Sequence, residues 1–598
     1  MMRYRVFVAW VVLVGLALPV LAAADGGFLD ALHRAEVEGR ITREDALLNT
    51  FRYAFDPASV RSDLMVADGA PLKCLTPAIA EYESLRGGLA PATRSEIDSY
   101  LRGIRPLGKI TTQTYLSPAG LFTMNYETSG SNAPPQADVD PVNGVPDYVE
   151  LCAVYCDSSW HREIDDLGFN APGGGTYQIY FQNMGAYGYT QGTGGGSSYI
   201  VLENDFAGFP SNQDPDGNVL GAAKVTAAHE FKHASQFNTT GAMATGGWVE
   251  LDATWMEDVV FDETNDYYGY LISGSSISNP DQSLDNGGSG SYEDCIWQHF
   301  LCEKWGIGMG LAFMQRREAA PTETATASYA AIIADQGSDF HTAFTEFASW
   351  NYVTGILGQT APPYIPSYEE AGSYPTAGTW AYRDAYPDTS AGGVTRMAAH
   401  FYQCKGMTAL SGRLRIQFDG EDGTSIRVTA LLRRKGVYGG GWFREDIPLD
   451  AQNDGDYTLS LPGEELKQVA VLVVNAKRIG GEATYSMVLS LGEEATDVTN
   501  AVPLALPFGL EQNRPNPFNP ATSIAFTLPA DGAPSLVVYN PAGRVVRTLL
   551  GGETMSAGAH TVQWDGRDDR GRSVGSGVYH YRLVADNLSE TKRMILIR

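Results

Sequence analysis

The run His229-Glu230-Phe231-Lys232-His233 constrains this chain more than any other feature. Histidines four positions apart share one face of a helix, so both imidazoles can reach a single ion. The flanking residues favour that helix. Ala222, Val225, Ala228 and Phe231 give it a small apolar side, and neither Pro nor Gly interrupts Ala222–Phe237. Zinc accepts neutral imidazole nitrogen and needs a third protein ligand beside an open position. A second helical stretch, Trp248–Asp258, follows shortly and carries the carboxylates Glu250 and Glu257. Only nine histidines occur in the chain, and two of them fall here. The plainer alternative is an exposed helix that carries two histidines by chance.

The rest of the chain gives this helix a setting. Arg3 and Arg5 precede an apolar run from Val6 to Leu21 that Pro19 breaks, and Ala22-Ala23-Ala24 follows. That is the pattern of a cleaved signal peptide over 1–24, and no later segment is apolar enough to span a membrane. The 598 residues suggest about four domains at ~150 residues each. Seventy acidic against 42 basic residues leave a charge of −28, which argues against nucleic acid and anionic membranes as partners. Export makes disulfides available to the six cysteines. Cys152 and Cys156 lie one helical turn apart, Cys295 and Cys302 two turns apart, and Cys74 and Cys404 stand alone. No C-x-x-C pair marks a structural zinc site, so buried or disulfide-bonded cysteines are expected.

Residues 25–105 read as helical, either a pro-segment or an N-terminal cap. Residues 106–375 hold strands at Thr176–Gln182 and Tyr199–Glu203, then helices near 221–237, 248–260 and 292–305, an α+β layout. Residues 395–492 alternate apolar and polar positions as a β-sandwich does. A linker over 493–510 leads to a second small β domain over 511–598.

The H-E-x-x-H run followed by W-x-E-x-x-A-x-x-M-E resembles the gluzincins. Aligning Ala253-Thr254-Trp255-Met256-Glu257 with the end of the corresponding aminopeptidase stretch puts Glu250 on the third zinc ligand. Glu257, two turns on and on the same face, is the rival. The tryptophan falls one position closer here than in that family. The resemblance implies an α+β zincin (thermolysin-like) catalytic domain with two all-β sandwich domains behind it. It implies zinc held by His229, His233 and Glu250, and Glu230 as general base for the attacking water. Tyr292, opening an apolar helix with Glu293, is similar to the family's catalytic tyrosine and is the expected oxyanion donor. Asp294-Cys295 replaces the usual Lys-Gly pair, and Tyr267, Tyr268 and His299 are rivals. No exopeptidase motif is evident, which points to an endopeptidase. The stretch 106–370 also resembles a set of secreted bacterial metalloproteases that share Asn143–Glu150, Gly188-Tyr189-Thr190, His229–His233 and Trp255–Asp258.

Asp138, Asp140, Asn143 and Asp147 offer oxygen ligands around Gly144, a candidate calcium loop whose plainer reading is an Asx-rich turn. Asp214–Asn218 is a second such candidate, better read as a surface turn. Near the C-terminus, Arg514–Pro520, Tyr539–Arg544, Trp564-Asp565-Gly566 and Gly577-Val578-Tyr579 resemble Ig-like domains used as type IX secretion sorting signals, related to the FlgD Ig-like module. That resemblance implies a type IX-like secretion machinery as partner and a secreted or outer-surface location.

The expected function is therefore an exported zinc peptidase acting on proteins or peptides. The alternative is a non-catalytic surface adhesin or structural protein that keeps a zincin scaffold. Cys74, inside the candidate pro-segment, could place a thiolate at the open zinc position, against the plainer expectation of a disulfide.

Overall fold

The computed structural model describes residues 27–596 except 67–68, 103–111, 195–196, 241–246, 285–291, 356, 358–366, 407–411, 436–441, 493–508, 511–512, 514, 517, 529–530, 541–543, 556–557 and 586–587. The expected signal peptide over 1–24 and most of the expected linker over 493–510 lie outside the described residues.

The N-terminal half is built in three layers around one sheet. Helices α1 (Phe28–Val37), α2 (Arg43–Phe55), α3 (Thr76–Leu85) and α4 (Pro91–Arg102) form the first layer. A capping box between Thr42 and Asp45 fixes the start of α2. The second layer is a mixed sheet of β1 (Thr112–Leu116), β2 (Phe122–Glu127), β3 (Tyr177–Gln182), β4 (Gly188–Gly194) and β5 (Ser197–Glu203). Its order is β1-β2-β3-β5-β4, which leaves β4 at an edge. The third layer is α5 (Asp147–Trp160) and α6 (Asn218–Thr240). The two-residue period of a strand decides which side chain meets which layer. Tyr177, Ile179, Phe181, Ile200 and Leu202 pack against α5 and α6. Tyr180, Tyr199 and Val201 turn to the other face and meet α1–α4.

Glycines let β4 lie against α6. A Cβ on Gly188 would sit 2.8 Å from Thr226 Cγ2, 2.9 Å from the Val201 carbonyl and 3.1 Å from Glu230 Cγ. On Gly192 it would meet the Phe237 ring at 2.4 Å. The Gly-rich composition that hides β4 from a strand pattern is what brings it close to the histidine helix.

A helical half follows: α7 (Trp248–Val260), α8 (Tyr268–Leu271), α9 (Cys295–Trp305), α10 (Gly308–Ala319), α11 (Ala325–Asp335) and α12 (Phe340–Tyr352). Its core of Trp255, Trp297, Phe300 and Phe347 continues into Phe401, Leu431, Trp442 and Leu472 of a β-sandwich. One sandwich sheet runs β11 (Trp442–Ile447), β10 (Ile426–Arg434), β13 (Leu466–Asn475), β8 (Ala398–Cys404), β6 (Ala381–Arg383). The other runs β12 (Asp454–Pro462), β9 (Arg413–Gly420), β14 (Ala483–Gly492), β7 (Asp388–Val394). The sandwich thus starts at Ala381, ahead of the boundary expected at 395. β6 is three residues long and β7 contains Ala391-Gly392-Gly393, so neither shows a clear alternation, yet both pair into the sheets.

The last domain has its own core of Phe526, Leu536, Trp564, Tyr581 and Leu583. Its sheets are β15 (Gly509–Leu510), β16 (Thr522–Leu528), β19 (Gly558–Trp564) and β18 (Val545–Gly551), β17 (Ser535–Tyr539), β20 (Gly577–Ala585), β21 (Leu588–Leu596). Among the described residues no helix is long and apolar enough to cross a membrane. All six cysteines are buried and none is in a disulfide. The plain disulfide expected for Cys74 is therefore replaced by a free thiol.

Two predictions follow from this packing. Gly188→Ala forces a methyl group against backbone and helix, and overpacking of that kind costs about 1–3 kcal/mol. It should appear as a lowered thermal midpoint with unchanged secondary structure by circular dichroism. In the sandwich, His400 stacks on Trp380 with ring centroids 3.8 Å apart and places Nδ1 2.7 Å from Tyr485 Oη. Burial pushes its pKa from 6.5 down to about 4, against a small opposing pull from Asp281. The folded state therefore prefers neutral His400, and its contribution to stability is lost as pH falls from 6.5 toward 4. His400→Phe should flatten that acid limb in thermal melts across this range.

Candidate metal centre

α6 delivers His229, Glu230 and His233 to the interior, where each is wholly buried. α7 crosses behind it and supplies Glu250 and Glu257, also buried. His229 Nε2 lies 3.1 Å from His233 Nε2 and 3.2 Å from Glu250 Oε2. His233 Nε2 lies 3.2 Å from Glu250 Oε1.

The outer nitrogens decide the tautomers. His229 Nδ1 sits 2.7 Å from Glu257 Oε1, a carboxylate that only accepts. His233 Nδ1 sits 2.8 Å from Gln236 Oε1. The Gln236 amide cannot be turned around, because its Nε2 donates to the Val249 carbonyl at 3.1 Å and to Asp252 Oδ2 at 3.0 Å. Both Nδ1 atoms thus carry the proton of a neutral ring, and both Nε2 atoms present lone pairs to each other and to a carboxylate. A buried set of acceptors facing acceptors calls for a cation.

The spacing suits zinc. Tetrahedral zinc with bonds of about 2.0–2.1 Å to nitrogen and oxygen sets its ligand atoms about 3.3 Å apart, close to the three separations above. Without a cation only a proton can relieve the contact. Burial lowers the pKa of His229, but the carboxylates of Glu250 and Glu257 outweigh it and hold it up at about 10. The same two histidines draw the Glu250 carboxyl down to about 2 despite its burial. Among the described residues, one group of His, Cys and carboxylate ligand atoms converges closely enough to hold a metal ion: Cys74, His229, His233 and Glu250, all within 4.8 Å of one another.

Glu230 stands beside this set. Its Oε2 accepts from Thr76 Oγ1 at 3.1 Å and lies 2.9 Å from Thr190 Oγ1, whose single proton is shared with the Glu230 carbonyl at 2.7 Å. Its Oε1 is buried with no hydrogen-bond partner. One carboxylate oxygen is tied down and the other is free to receive a proton.

Two buried lysines flank the site. Lys73 pairs with Glu257 at 2.9 Å and Asp266 at 2.6 Å. Burial acts to discharge Lys73, but Asp266 and Glu257 override it and raise its pKa well above the usual value. Lys232 lies 3.4 Å from Asp252, and its ammonium sits 3.1 Å from the centroid of the Phe169 ring.

Of the residues expected from sequence, His229, Glu230, His233 and Glu250 meet at one point. Glu257 does not join them. It binds the far nitrogen of His229 and so orients that ring. Tyr292 is buried with its ring centroid 6.2 Å from that of His229, and burial pushes its pKa far up, so the phenol stays protonated. The rivals are engaged elsewhere. Tyr267 donates to Glu370 Oε2 at 2.5 Å, lies 2.9 Å from Tyr374 Oη and stacks on His299 at 4.8 Å. Tyr268 packs edge-on against Tyr267 and Tyr374.

In the expected calcium loop, the Asp138 carboxylate accepts from the amides of Asn143 and Gly144. Asp147 accepts from those of Val139 and Asp140. Asn143 Oδ1 accepts from the Val145 amide. These groups hold a turn at the start of α5, which the Asx-rich reading describes. In the second acidic loop, Asp214 pairs with Lys224 at 2.9 Å and accepts from Thr264 at 2.7 Å.

Thr76, Gln236 and Lys73 are absent from the sequence reading, and Thr190 and Asp252 enter it only as members of longer stretches, with no role at the site. Gln236, three residues past His233, carried a local signal. Asp252 lies two residues past Glu250 on α7, whereas Thr76, Thr190 and Lys73 come from other elements.

Comparison with known proteins bears on the C-terminal domain. Residues 516–589 match the FlgD Ig-like domain. Over 87 residues, 14% of this chain, the sequence is 36% identical to basal-body rod modification protein FlgD of Salmonella typhimurium and equally to that of Salmonella typhi. The matched stretch spans 31% of each of those relatives. Among solved structures, PorZ of Porphyromonas gingivalis, described as a surface component of the type-IX secretion system, aligns at 20% identity. It covers 19% of this chain and 14% of its own, with a TM-score of 0.12. Dimeric latent PorU from the same organism aligns at 12% identity over 37% of this chain and 32% of its own, with a TM-score of 0.14. Scores that low carry no argument about fold or role.

The different placements of the two carboxylates give a test. Glu257→Gln, which alters the support of His229 and the pairing with Lys73, should weaken zinc binding about 10- to 100-fold. Glu250→Gln should weaken it further. Competition with a fluorescent chelator measures both.

Proposed function

We propose that this chain is an exported zinc-dependent peptidase that hydrolyses peptide bonds of proteins or peptides through a thermolysin-like α+β zincin unit that two β-sandwich domains follow. The observation that carries the reading is the meeting of two imidazole lone pairs and the Glu250 carboxylate, beside a second carboxylate with one free oxygen. Zinc held there would supply Lewis acidity and lower the pKa of a water toward about 7.

The chain's own groups then have distinct tasks. Glu230 Oε1 receives the proton of the attacking water and returns it to the leaving amine, while Thr76 and Thr190 fix Oε2. Tyr292, kept protonated by burial, donates toward the developing oxyanion. Glu257 and Gln236 hold the two rings so that both Nε2 atoms face inward. The edge of β4 beside Glu230 suits an extended segment, since the backbone groups of residues 185–190 already bond to Leu72, Leu75 and Thr76 running along it.

The FlgD-like terminal domain and the signal-like N-terminus support a secreted or surface location reached through a type IX-like machinery. Calcium at Asp138–Asp147 is not needed by this reading.

Purified full-length protein should carry about one zinc per chain. Glu230→Gln should keep the metal and lower casein hydrolysis by about 10²–10⁴-fold, the share general acid–base catalysis supplies. Undiminished hydrolysis by the variant overturns the mechanism. Chelator-insensitive surface binding without cleavage would favour the adhesin alternative.

A further inference from the structure

We propose that residues Leu72–Thr76 are a built-in inhibitor of this site, with the thiol of Cys74 as the fourth ligand of the metal. The inference rests on the metal reading given above and concerns how that site is kept closed.

The segment lies along the sheet edge as an added strand would. The Leu72 amide donates to the Gly185 carbonyl at 2.9 Å, and the Tyr187 amide returns a bond to the Leu72 carbonyl at 2.9 Å. The Leu75 amide donates to the Gly188 carbonyl at 3.0 Å, and the Thr190 amide to Thr76 Oγ1 at 2.7 Å. Leu72 and Ala186 form a parallel bridge. A peptide docking on this edge would use the same backbone groups of residues 185–190.

Three side chains of the segment then plug the centre. Lys73 enters the buried pocket of Glu257 and Asp266, between the rings of Tyr187 at 4.4 Å and Tyr270 at 5.6 Å. Thr76 holds Glu230 Oε2. Between them, Cys74 places Sγ 3.5 Å from His233 Nε2 and accepts from the Thr76 amide at 3.3 Å. With a zinc–sulfur bond of about 2.3 Å and a zinc–nitrogen bond of about 2.0–2.1 Å, a tetrahedral sulfur-to-nitrogen edge is about 3.5–3.6 Å. The thiol therefore stands at that edge length from His233, with the His229 and Glu250 ligand atoms within 4.8 Å of it. A second observation points to a metal independently of the cysteine: His229 Nε2, His233 Nε2 and the Glu250 carboxylate are buried acceptors facing one another, and Glu230 Oε1 is buried beside them. A site closed by sulfur leaves no room for the water that this oxygen would serve.

Ligation balances simply. The thiol loses its proton to solvent as sulfur joins the metal, and displacement by water reverses the step, with no change of oxidation state.

Cobalt(II) loaded into the full-length chain tests this. The wild type should show a thiolate-to-cobalt charge-transfer band in the near ultraviolet. Cys74→Ser should lose that band, keep its cobalt and hydrolyse casein faster than the wild type. Glu230→Gln placed in the Cys74→Ser chain should abolish that gain. Cobalt bound without the thiolate band overturns the inhibitor and leaves the metal site standing, whereas a chain that binds no cobalt overturns both. Should Cys74→Ser fail to fold, zinc-edge X-ray absorption of the wild type decides the matter. A sulfur scatterer at about 2.3 Å supports the proposal, and a shell of nitrogen and oxygen alone at about 2.0–2.2 Å overturns it.

Discussion

The interior depends on a contact that neutral, cation-free chemistry cannot satisfy: two imidazole lone pairs and a carboxylate within about hydrogen-bond distance, with the ring protons already committed on the far sides. The surroundings raise the demand. Glu230, Glu250, Glu257, Asp252 and Asp266 are all buried around α6 and α7, and only Lys73 and Lys232 among the described lysines are buried with them. Buried charge without compensation is costly, and a surplus of carboxylates is compensated most economically by a divalent cation at the point where they and the imidazoles meet. The lysines sit at the margins of the cluster, on Glu257 with Asp266 and on Asp252, and stay away from its centre.

The sheet and helices are arranged to hold that contact still. α6 is buried along most of its length between the sheet and α7. Gly188 and Gly192 allow β4 to approach it, and Thr190 on the same strand reaches Glu230. Trp255 and Met256 lock α7 into the aromatic core of the helical half, and that core is shared with one face of the sandwich. The rings that face the metal position are thus fixed by packing that extends well into the following domain. The FlgD-like module has a core of its own, separate from the packing that holds the centre.

Much of this was legible in sequence because it is local. The two histidines and Glu230 share one helix, so spacing names them, and the resemblance to the gluzincins adds Glu250 on the next. Spacing could not separate Glu250 from Glu257, because both lie on one face of α7. The distinction is a matter of which nitrogen of His229 each carboxylate meets, and that depends on how α7 is rotated against α6. Thr76, Thr190 and Lys73 were beyond reach for a different reason. Each touches the site across more than a few elements, and a threonine or lysine carries no pattern that announces such a contact. β4 was hidden by its glycines, and β6 and β7 by their shortness and small residues. The acidic loop at 138–147 shows how one composition serves two readings: what suits calcium also suits a turn in which carboxylates cap backbone amides, and Asp138 and Asp147 accept from such amides.

The position of residues 72–76 makes metal and segment dependent on each other. The first helical layer covers one face of the sheet through Phe51, Leu75, Tyr82 and Val201, so the segment is held by a core of its own and does not rest on sulfur alone. If Cys74 is the fourth ligand, then the free energy of metal binding is also free energy of docking, and by linkage whatever lifts the segment must weaken the metal by the same factor until water takes the vacated position. Lys73 adds to that coupling, because it leaves Glu257 and Asp266 uncompensated when it withdraws, and Glu257 is the group that orients His229. Opening the site therefore costs more than breaking one bond, which is the property a durable latent form requires.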